Sequence, residues 1–305
     1  MNISIVGTIV KDRIVAVDGT ITESMGGLFY SVEAMRAVST PEDRITPISF
    51  VGSDVYEQVV GFWRDDHRMN LNGLYPIDQP NNHVELRYTE SAERNEYSLD
   101  PMPSLTFNHV APFMDADLLL VNMISGWDMA LNDLQRLAAG FNGILSMDIH
   151  SLTLARKNDG LRVRRKPENL ARWLAIPDII QFNNAEFESF CHSGLTVFYK
   201  KYCFDQNKIV NLTLGNQGSI SLFREKNEIV KIKTSPPDKI NVIDPTGCGD
   251  VFLSAFAYTY YKVKNIIDAA KFANLAAAIA GTRRGLPQAQ WLKTQLENNR
   301  KNTNA

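Results

Sequence analysis

The strongest constraint on the fold is a series of short, continuously apolar segments separated by stretches with helical periodicity. The apolar segments are ISIVG, ITPISFVG, DLLLVNM, GILSMDI, DIIQFN and KIVNLTLG, at residues 3–7, 45–52, 117–123, 143–149, 178–183 and 208–215. Segments that are mainly apolar, without regular polar alternation, are typical of strands buried on both faces of a parallel sheet. Segments such as YEQVVGFWRDDHRM and DMALNDLQRLAAGF have helical spacing and lie between them. The alternation predicts a three-layer α/β/α sandwich with a mainly parallel central sheet.

Two stretches depart from this pattern, at about residues 10–24 and 74–107. The segment HVELRYTESAERNEYSL within the second stretch alternates polar and apolar residues, which is typical of a sheet with one face in water. The two stretches could pair as a small second sheet. Either a lid over a cleft or an ordinary edge hairpin fits this pattern, and we expect one domain over residues 1–305 that carries the lid.

Composition and charge restrict the classes of partner. The 305 residues are 44% hydrophobic, and 32 basic against 34 acidic residues give a formal net charge of -2. No net field favours nucleic acid or an anionic membrane, so we expect a small-molecule partner. The cysteines lack CxxC spacing, and no segment reaches the roughly 20 apolar residues that span a bilayer. We therefore expect a cytoplasmic protein that binds neither nucleic acid nor membrane.

The segment NVIDPTGCGDVFLSAFAYTY, at residues 241–260, places small residues and a carboxylate at the start of an apolar helix. Its spacing puts Gly247, Cys248, Gly249 and Asp250 in the first helical turn. The unpaired amides of that turn and the helix dipole favour an anion, and glycine lets a phosphate approach the backbone. Asp250 could accept a proton from an attacking hydroxyl beside such a site. The alternative is that Asp250 only complements the helix dipole.

The segment DPTGCGDVFLSAF resembles the signature of the ribokinase-like (PfkB) carbohydrate kinases, in which D-T-x-G-A-G-D opens the helix of the catalytic aspartate. Pro245 replaces a threonine of that pattern, and Cys248 replaces an alanine. Further segments resemble other family motifs in family order. They are GGLFYSVEAM, VGSD, NNAE, LTLGNQGSI and ANLAAAIAGTRRG, at residues 26–35, 51–54, 183–186, 212–220 and 273–285.

The resemblance implies a ribokinase-like fold and transfer of the γ-phosphoryl group of Mg-ATP to a hydroxyl of a small sugar, polyol or nucleoside. Asp250 would be the general base, and residues 247–249 would form the anion hole. The acceptor would be held by Asp12, Gly26, Gly27 and Ser31. The nucleotide would be held by Asn183, Thr213, Gly215, Gly218 and Asn274. Glu186 would help to order Mg²⁺, and Asp244 and Thr246 match where some relatives hold a monovalent cation such as K⁺. Lid edges often pair between subunits in this family, which makes a homodimer one expectation.

Several of these residues also have a purely structural interpretation. Asn183 and Glu186 are well suited to capping a helix, and Asp12 could be a solvated surface residue. Gly26 and Gly27 could form a helix-entry turn, and Thr213, Gly215 and Gly218 an ordinary hairpin. Asn274 could be a buried asparagine whose hydrogen bonds are satisfied within the protein.

The sequence departs from the family pattern on the acceptor side. An asparagine that contacts the sugar is replaced here by Ser31, which follows Tyr30. His150 and Leu152 stand after Asp148 where many relatives have asparagine and arginine. The missing arginine argues against a phosphorylated sugar as the acceptor.

Two other functional classes compete with a kinase. The altered acceptor side allows a non-catalytic protein that binds a metabolite on the same scaffold, although the intact GxGD pattern opposes it. A Rossmann-type oxidoreductase would need G-x-G-x-x-G after the first strand, and VGTIVKD lacks it. The chain has no GxxxxGK[ST] segment, so a lysine-containing P-loop is excluded.

Overall fold

Strands and helices alternate along most of the chain in the computed structural model, which describes residues 1–15, 17–88, 94–236 and 240–303. The strands are β1 Asn2–Val6, β2 Ile9–Val15, β3 Ile21–Gly27, β4 Arg44–Gly52, β5 Leu74–Ile77, β6 His83–Tyr88, β7 Arg94–Leu99, β8 Leu118–Asn122, β9 Ile144–Asp148, β10 Leu154–Arg156, β11 Arg162–Arg164, β12 Ile179–Asn183, β13 Ile209–Thr213, β14 Ser219–Glu225 and β15 Glu228–Thr234. The helices are α1 Leu28–Val38, α2 Tyr56–Trp63, α3 Phe107–Val110, α4 Leu131–Gly140, α5 Leu170–Leu174, α6 Asn184–Phe190, α7 Leu195–Tyr202, α8 Cys248–Val263, α9 Ile266–Ala280 and α10 Ala289–Thr303.

A large, mainly parallel sheet forms the centre of the fold, in the order β15-β14-β13-β12-β9-β8-β1-β4-β5. Each neighbouring pair from β13 to β5 is parallel, and β14 is antiparallel to both of its neighbours. Every apolar segment singled out in the sequence forms one of these parallel strands, which confirms the predicted α/β class. Strand order reverses between β1 and β8, and such a point leaves a crevice at the carboxyl ends of the strands.

Apolar cores lie on both faces of this sheet, as expected for strands without polar alternation. Leu118 and Leu120 of β8 belong to one core, which includes residues of α1, α8 and α9. Leu119 and Val121 point to the other face and pack with residues of α4, α6 and α7. The cores fix both sides of the sheet and so determine where its carboxyl edge lies. Within the described residues, no helix combines the length and apolar character needed to cross a bilayer.

A small sheet in the order β3-β2-β6-β7 accounts for much of the two departing stretches. Strands β2 and β6 pair in parallel, and the other two pairs are antiparallel. The prediction that residues 74–77 belong to the lid is wrong, because these residues form β5, which pairs with β4 in the large sheet and not with the small sheet. Its apolar residues complete the edge of the large sheet. Residue 16 and residues 89–93 of the predicted lid lie outside the described part of the chain.

Helix α8 is buried over most of its length and packs against β8, β9, β12, α1 and α9. Phe252 and Phe256 stack on successive turns, with ring centroids 5.9 Å apart. Apolar residues follow each other without the polar face of a surface helix, because helices and strands cover it on several sides. The helix is therefore fixed in place, and its first turn lies near the ends of β8 and β12.

We expect Phe256→Ala to lower the free energy of unfolding by about 3–5 kcal/mol, because the side chain is fully buried and its removal leaves a cavity. Val263→Ala in the last turn of α8 is the matched control, since Val263 is 52% exposed. Its effect should stay within about 0.5 kcal/mol. Urea unfolding of both variants measures the difference, and equal effects would contradict the packing described for α8.

Candidate active site

A cavity of about 340 Å³ opens where the parallel strands end. Asp148, Asn183 and Thr213 line it from the carboxyl ends of β9, β12 and β13. The first turn of α8 lines a second side, and the small sheet covers a third. The cavity thus lies at the edge where parallel α/β sheets bind their ligands.

Asp250 is half-buried in this cavity, and neighbouring side chains hold its carboxylate. Asn122 Nδ2 donates a hydrogen bond to Asp250 Oδ1 at 2.9 Å, and Ser31 Oγ donates to the same oxygen at 3.3 Å. Asn122 and Ser31 also bond to each other, and both are fully buried. Burial raises the pKa of Asp250 to about 6, although the positive charge of His150 and the two hydrogen bonds act in the opposite direction.

Gly247 and Gly249, at the start of α8, line the cavity. Gly247 has a φ of 74°, and a Cβ there would lie 2.0 Å from Cδ1 of Tyr30, so only glycine fits. The Cys248 amide is not free, because it donates to the Pro245 carbonyl at 3.1 Å. Among the described residues, nothing accepts a hydrogen bond from the amides of Gly247 or Gly249. These two amides and the helix dipole form a site suited to an anion.

Gln181 connects this turn to strand β9. Its Nε2 donates to Asp148 Oδ2 at 2.8 Å and to the Gly249 carbonyl at 2.9 Å. Gln181 is 1% exposed, so its position is set by packing within the sheet. Burial and the negative charge of Glu186 raise the pKa of Asp148 above its ordinary value. The amide of Gln181 therefore holds Gly249 in place while it satisfies a buried carboxyl group.

Asn183 and Glu186 form the capping box that was the alternative interpretation of NNAE. Asn183 Oδ1 accepts from the Glu186 amide at 2.9 Å, and Glu186 Oε2 accepts from the Asn183 amide at 2.8 Å. His150 Nδ1 donates to Glu186 Oε1 at 3.1 Å. Burial alone would lower the pKa of His150, but Glu186, Asp148 and Asp250 raise it to about 10.

The fit of a magnesium ion depends on the carboxylates that line the cavity. Within the described residues, no cluster of His, Cys, Asp and Glu is arranged to hold a metal directly. Glu186 and Asp148 nevertheless border the cavity, and carboxylate oxygens suit Mg²⁺ bound through its water shell. The residues present are thus compatible with a hydrated ion near Asn183 and Glu186, in addition to their capping role.

A second cavity of about 360 Å³ adjoins the first on the predicted nucleotide side. Thr213 and Asn183 line both cavities, and Gly215 lines the second. Gly218 does not line it. A Cβ at Gly218 would lie 2.0 Å from the Thr234 carbonyl, so this glycine permits the close approach of β14 and β15. The structure thus brings Thr213 and Gly215 to one site and leaves Gly218 in the hairpin.

Some predicted residues lie outside the cavity. Asn274 is 5% exposed, and its Nδ2 donates to Ser219 Oγ at 2.8 Å and to the Ala270 carbonyl at 2.9 Å. This is the buried, satisfied asparagine of the alternative interpretation. Ser31 is also misassigned as an acceptor contact, because it is fully buried and its hydroxyl faces Asp250.

The loop before α8 is tied to the turn after α9. Asp244 accepts from the Thr246 amide and from the Gly285 amide, both at 3.0 Å. The two oxygens of Asp244 thus have a structural role, and Thr246 lines the cavity. The monovalent cation site at Asp244 and Thr246 therefore stays a prediction.

The glycine pair before α1 shapes the acceptor side of the cavity. Gly27 lines it with a φ of 59°, and a Cβ there would lie 2.4 Å from the Thr8 carbonyl. Gly26 lies under Asp12, because a Cβ at Gly26 would lie 1.8 Å from Asp12 Oδ2. Asp12 itself lines the cavity, so the structure brings it together with Asp250.

Sequence reasoning missed Asn122 and Gln181. Each is a polar residue within a mainly apolar segment, DLLLVNM or DIIQFN. A buried polar side chain needs a partner, so an amide in such a strand signals a contact with another buried polar group. That signal was present in the sequence, although it does not identify the partner.

Comparisons with known proteins agree on the family. A profile described as pfkB family carbohydrate kinase matches residues 44–291. The ribokinase of Lactococcus lactis is 32% identical over 114 residues, which are 36% of this chain and 35% of that protein. The match therefore spans about a third of that relative's length.

Solved structures show the same fold at low identity. The ribokinase of Giardia lamblia has a TM-score of 0.73 and 18% identity, over 97% of this chain and 98% of that chain. A pyrophosphate-dependent kinase in the ribokinase family, solved with sulfate, has a TM-score of 0.74 and 18% identity, over 96% and 99% of the two chains. These likenesses confirm the ribokinase-like fold.

We expect Asn122→Ala to raise the pKa of Asp250 by about one unit, because a hydrogen bond to a charged group contributes roughly 1.5–3 kcal/mol. Ser31→Ala should give a smaller increase, since its contact is longer. The measurement is a ¹³C NMR titration of the Asp250 carboxyl group, with Asp250→Asn to assign the signal. An unchanged titration in Asn122→Ala would show that this contact does not stabilise the carboxylate.

Proposed function

Because the chain belongs to the pfkB family of carbohydrate kinases, we propose that it transfers the γ-phosphoryl group of ATP to a hydroxyl of a small sugar, polyol or nucleoside. The observation that carries this proposal is the arrangement of Asp250 beside the unpaired amides of Gly247 and Gly249. A base and an anion site in the same cavity are the protein groups that phosphoryl transfer to an alcohol needs.

Asp250 would remove the proton from the acceptor hydroxyl. Its carboxylate is held at Oδ1 by Asn122 and Ser31, which leaves Oδ2 as the oxygen to accept that proton. A pKa of about 6 keeps most of this group ionised at neutral pH and makes it a stronger base than an ordinary aspartate. The proton would move to Asp250 as the hydroxyl oxygen attacks the phosphorus and the bond to the leaving diphosphate breaks.

The transferred phosphoryl group would lie at the first turn of α8. The amides of Gly247 and Gly249 would donate to its oxygens, and the helix dipole adds a positive potential there. Gln181 fixes the Gly249 peptide through its carbonyl, so the donors need no rearrangement during the reaction. Cys248 would contribute its small size, because its amide is already bonded to Pro245.

The donor would extend from this turn toward Thr213 and Gly215, which line the adjoining cavity. Magnesium, when bound, would neutralise charge on the donor phosphates, and Glu186 and Asn183 would orient its water shell. The relative described as pyrophosphate-dependent makes pyrophosphate a donor to be compared with ATP. A coupled assay for ADP or phosphate release with a panel of acceptors tests the proposal. A metabolite-binding protein would bind acceptor without releasing either product.

We expect Asp250→Asn to lower kcat by about 10²–10⁴, because loss of a general base acts on the transition state. Binding of the donor should change little. Asp268→Asn, an exposed aspartate in the first turn of α9, is the matched control and should keep wild-type kcat. A decrease below about twofold in Asp250→Asn would remove this residue from the mechanism.

Glu186→Gln separates the capping role from the magnesium role. Glutamine also completes a capping box, so α6 should keep its start. The variant removes the negative charge beside His150, so its free energy of unfolding is measured alongside. Loss of the charge should raise the Mg²⁺ concentration needed for half-maximal rate by about 10–100-fold, as for residues that orient a metal's ligands. Unchanged magnesium dependence in this variant would leave Glu186 with a capping role alone.

A further inference from the structure

A further cavity, of about 390 Å³, opens at the edge of the large sheet where β1 and β4 begin. The candidate active site lies at the other edge, where the parallel strands end, and the two cavities share no lining residue. Two loop segments, at residues 70–72 and 112–115, complete its walls. This amino-edge cavity is lined by the polar residues Asn2, Ser4, Arg44, Thr46, Asn70 and Asp115, among others.

The floor of the amino-edge cavity is polar although it lies on two central strands of the sheet. Ser4 of β1 and Thr46 of β4 are register partners, and each is at most 6% exposed. Val6 and Ile48, two positions further along the same face, belong to an apolar core. Strands covered on both faces are normally apolar throughout. The change from apolar to polar side chains therefore marks this end of the face as a surface for a polar molecule.

The hydroxyl of Thr46 is the group that most clearly lacks a partner. Ser4 Oγ donates to the Phe113 carbonyl at 3.2 Å, so its hydroxyl is satisfied within the protein. Thr46 is equally close to the cavity, yet no other described residue forms a hydrogen bond with its hydroxyl. Buried polar groups are normally hydrogen-bonded. Thr46 thus offers a donor and an acceptor to a molecule in the cavity.

Two opposite charges border the amino-edge cavity without neutralising each other. Arg44 and Asp115 are its charged lining residues, and among the residues that the structure describes neither forms an ion pair. Asn2 lies beside both, since it is the register partner of Arg44 and its Nδ2 donates to Asp115 Oδ2 at 3.3 Å. The cavity therefore has no net charge but presents a guanidinium and a carboxylate separately.

We propose that the amino-edge cavity binds a small zwitterion, a free α-amino acid with a polar side chain. The ligand carboxylate pairs with Arg44, whose guanidinium matches it in shape, and the ammonium group pairs with Asp115. The polar side chain bonds to the Thr46 hydroxyl and the Asn70 amide. A ligand with one charge leaves the other protein charge unpaired, which reduces its affinity. This site is separate from the proposed phosphoryl transfer and goes beyond it.

Titration calorimetry with matched probes tests the inference on the wild-type protein. The probes are L-asparagine and L-serine, each compared with the two analogues that lack one charged group. These analogues are succinamate and 3-aminopropanamide for asparagine, and 3-hydroxypropanoate and ethanolamine for serine. At least one amino acid should bind with a Kd of about 1 mM or tighter, and at least about 10-fold more tightly than either of its analogues. Failure of both amino acids to bind, or equal binding of a singly charged analogue, would overturn the inference.

Two charge variants assign the ends of the ligand. Arg44→Gln should remove the preference for the amino acid over the analogue without a carboxylate, because the partner of that carboxylate is gone. Asp115→Asn should remove the preference over the analogue without an ammonium group. Both side chains are exposed, so we expect both variants to fold. Preferences that persist in both variants would place the ligand elsewhere and contradict the proposed site.

Thr46→Val separates a ligand contact from a structural role. The hydroxyl has no partner in the protein, so its removal should not lower the free energy of unfolding, whereas amino-acid binding should weaken about 10-fold. Thr234→Val is the matched control, because Thr234 is 7% exposed in β15 of the same sheet and lies outside the cavity lining. It should bind the amino acid as wild type does. Unchanged binding in Thr46→Val would show that this hydroxyl meets only water and would overturn the arrangement proposed here.

Discussion

The carboxylate of Asp250 is held at the start of a buried helix by two hydrogen-bond donors that come from distant parts of the chain. Ser31 lies in α1, Asn122 ends β8, and Asp250 lies in the first turn of α8. Burial favours the protonated form of an isolated carboxyl group, and the positive charge of His150 and the two donors act against that tendency. Desolvation raises the pKa of Asp250, and the charge of His150 and the two hydrogen bonds limit that rise, which gives a base that is both ionised at neutral pH and stronger than usual.

The same balance extends across the carboxyl edge of the sheet. Gln181 donates hydrogen bonds to Asp148 and to the Gly249 carbonyl. His150 is bonded to Glu186, and its positive charge lowers the pKa of Asp250. Hydrogen bonds from β8 and β12 reach the first turn of α8, so the anion site and the base are fixed relative to each other. A site of this kind needs little rearrangement when charge develops on a phosphoryl group.

Much of this arrangement follows from the sequence, because it depends on local patterns. Continuously apolar segments indicated the parallel strands, and small residues before an apolar helix indicated the first turn of α8. Strand ends meet at one edge, which brought Asp148, Asn183 and Thr213 together. The capping box of Asn183 and Glu186 was also a local pattern, and both of its hydrogen bonds form.

Contacts that depend on side-chain direction and long-range packing could not be predicted in this way. Ser31 occupies the position of an acceptor contact in the family pattern, yet the packing of α1 against α8 turns its hydroxyl toward Asp250. Asn274 shares a helix with small residues, and the closeness of β14 and α9 buries its amide against Ser219. Sequence spacing gives the position of a residue on an element, but the neighbouring elements decide which group its side chain meets.

The most direct test of Asp250 as the base is the dependence of kcat/KM on pH for phosphoryl transfer to an uncharged acceptor. The carboxylate must be deprotonated to accept a proton, so the rate should fall about tenfold per pH unit below pH 6, where burial places the pKa of Asp250. A rate that stays constant down to pH 4.5 with intact protein would contradict this role for Asp250.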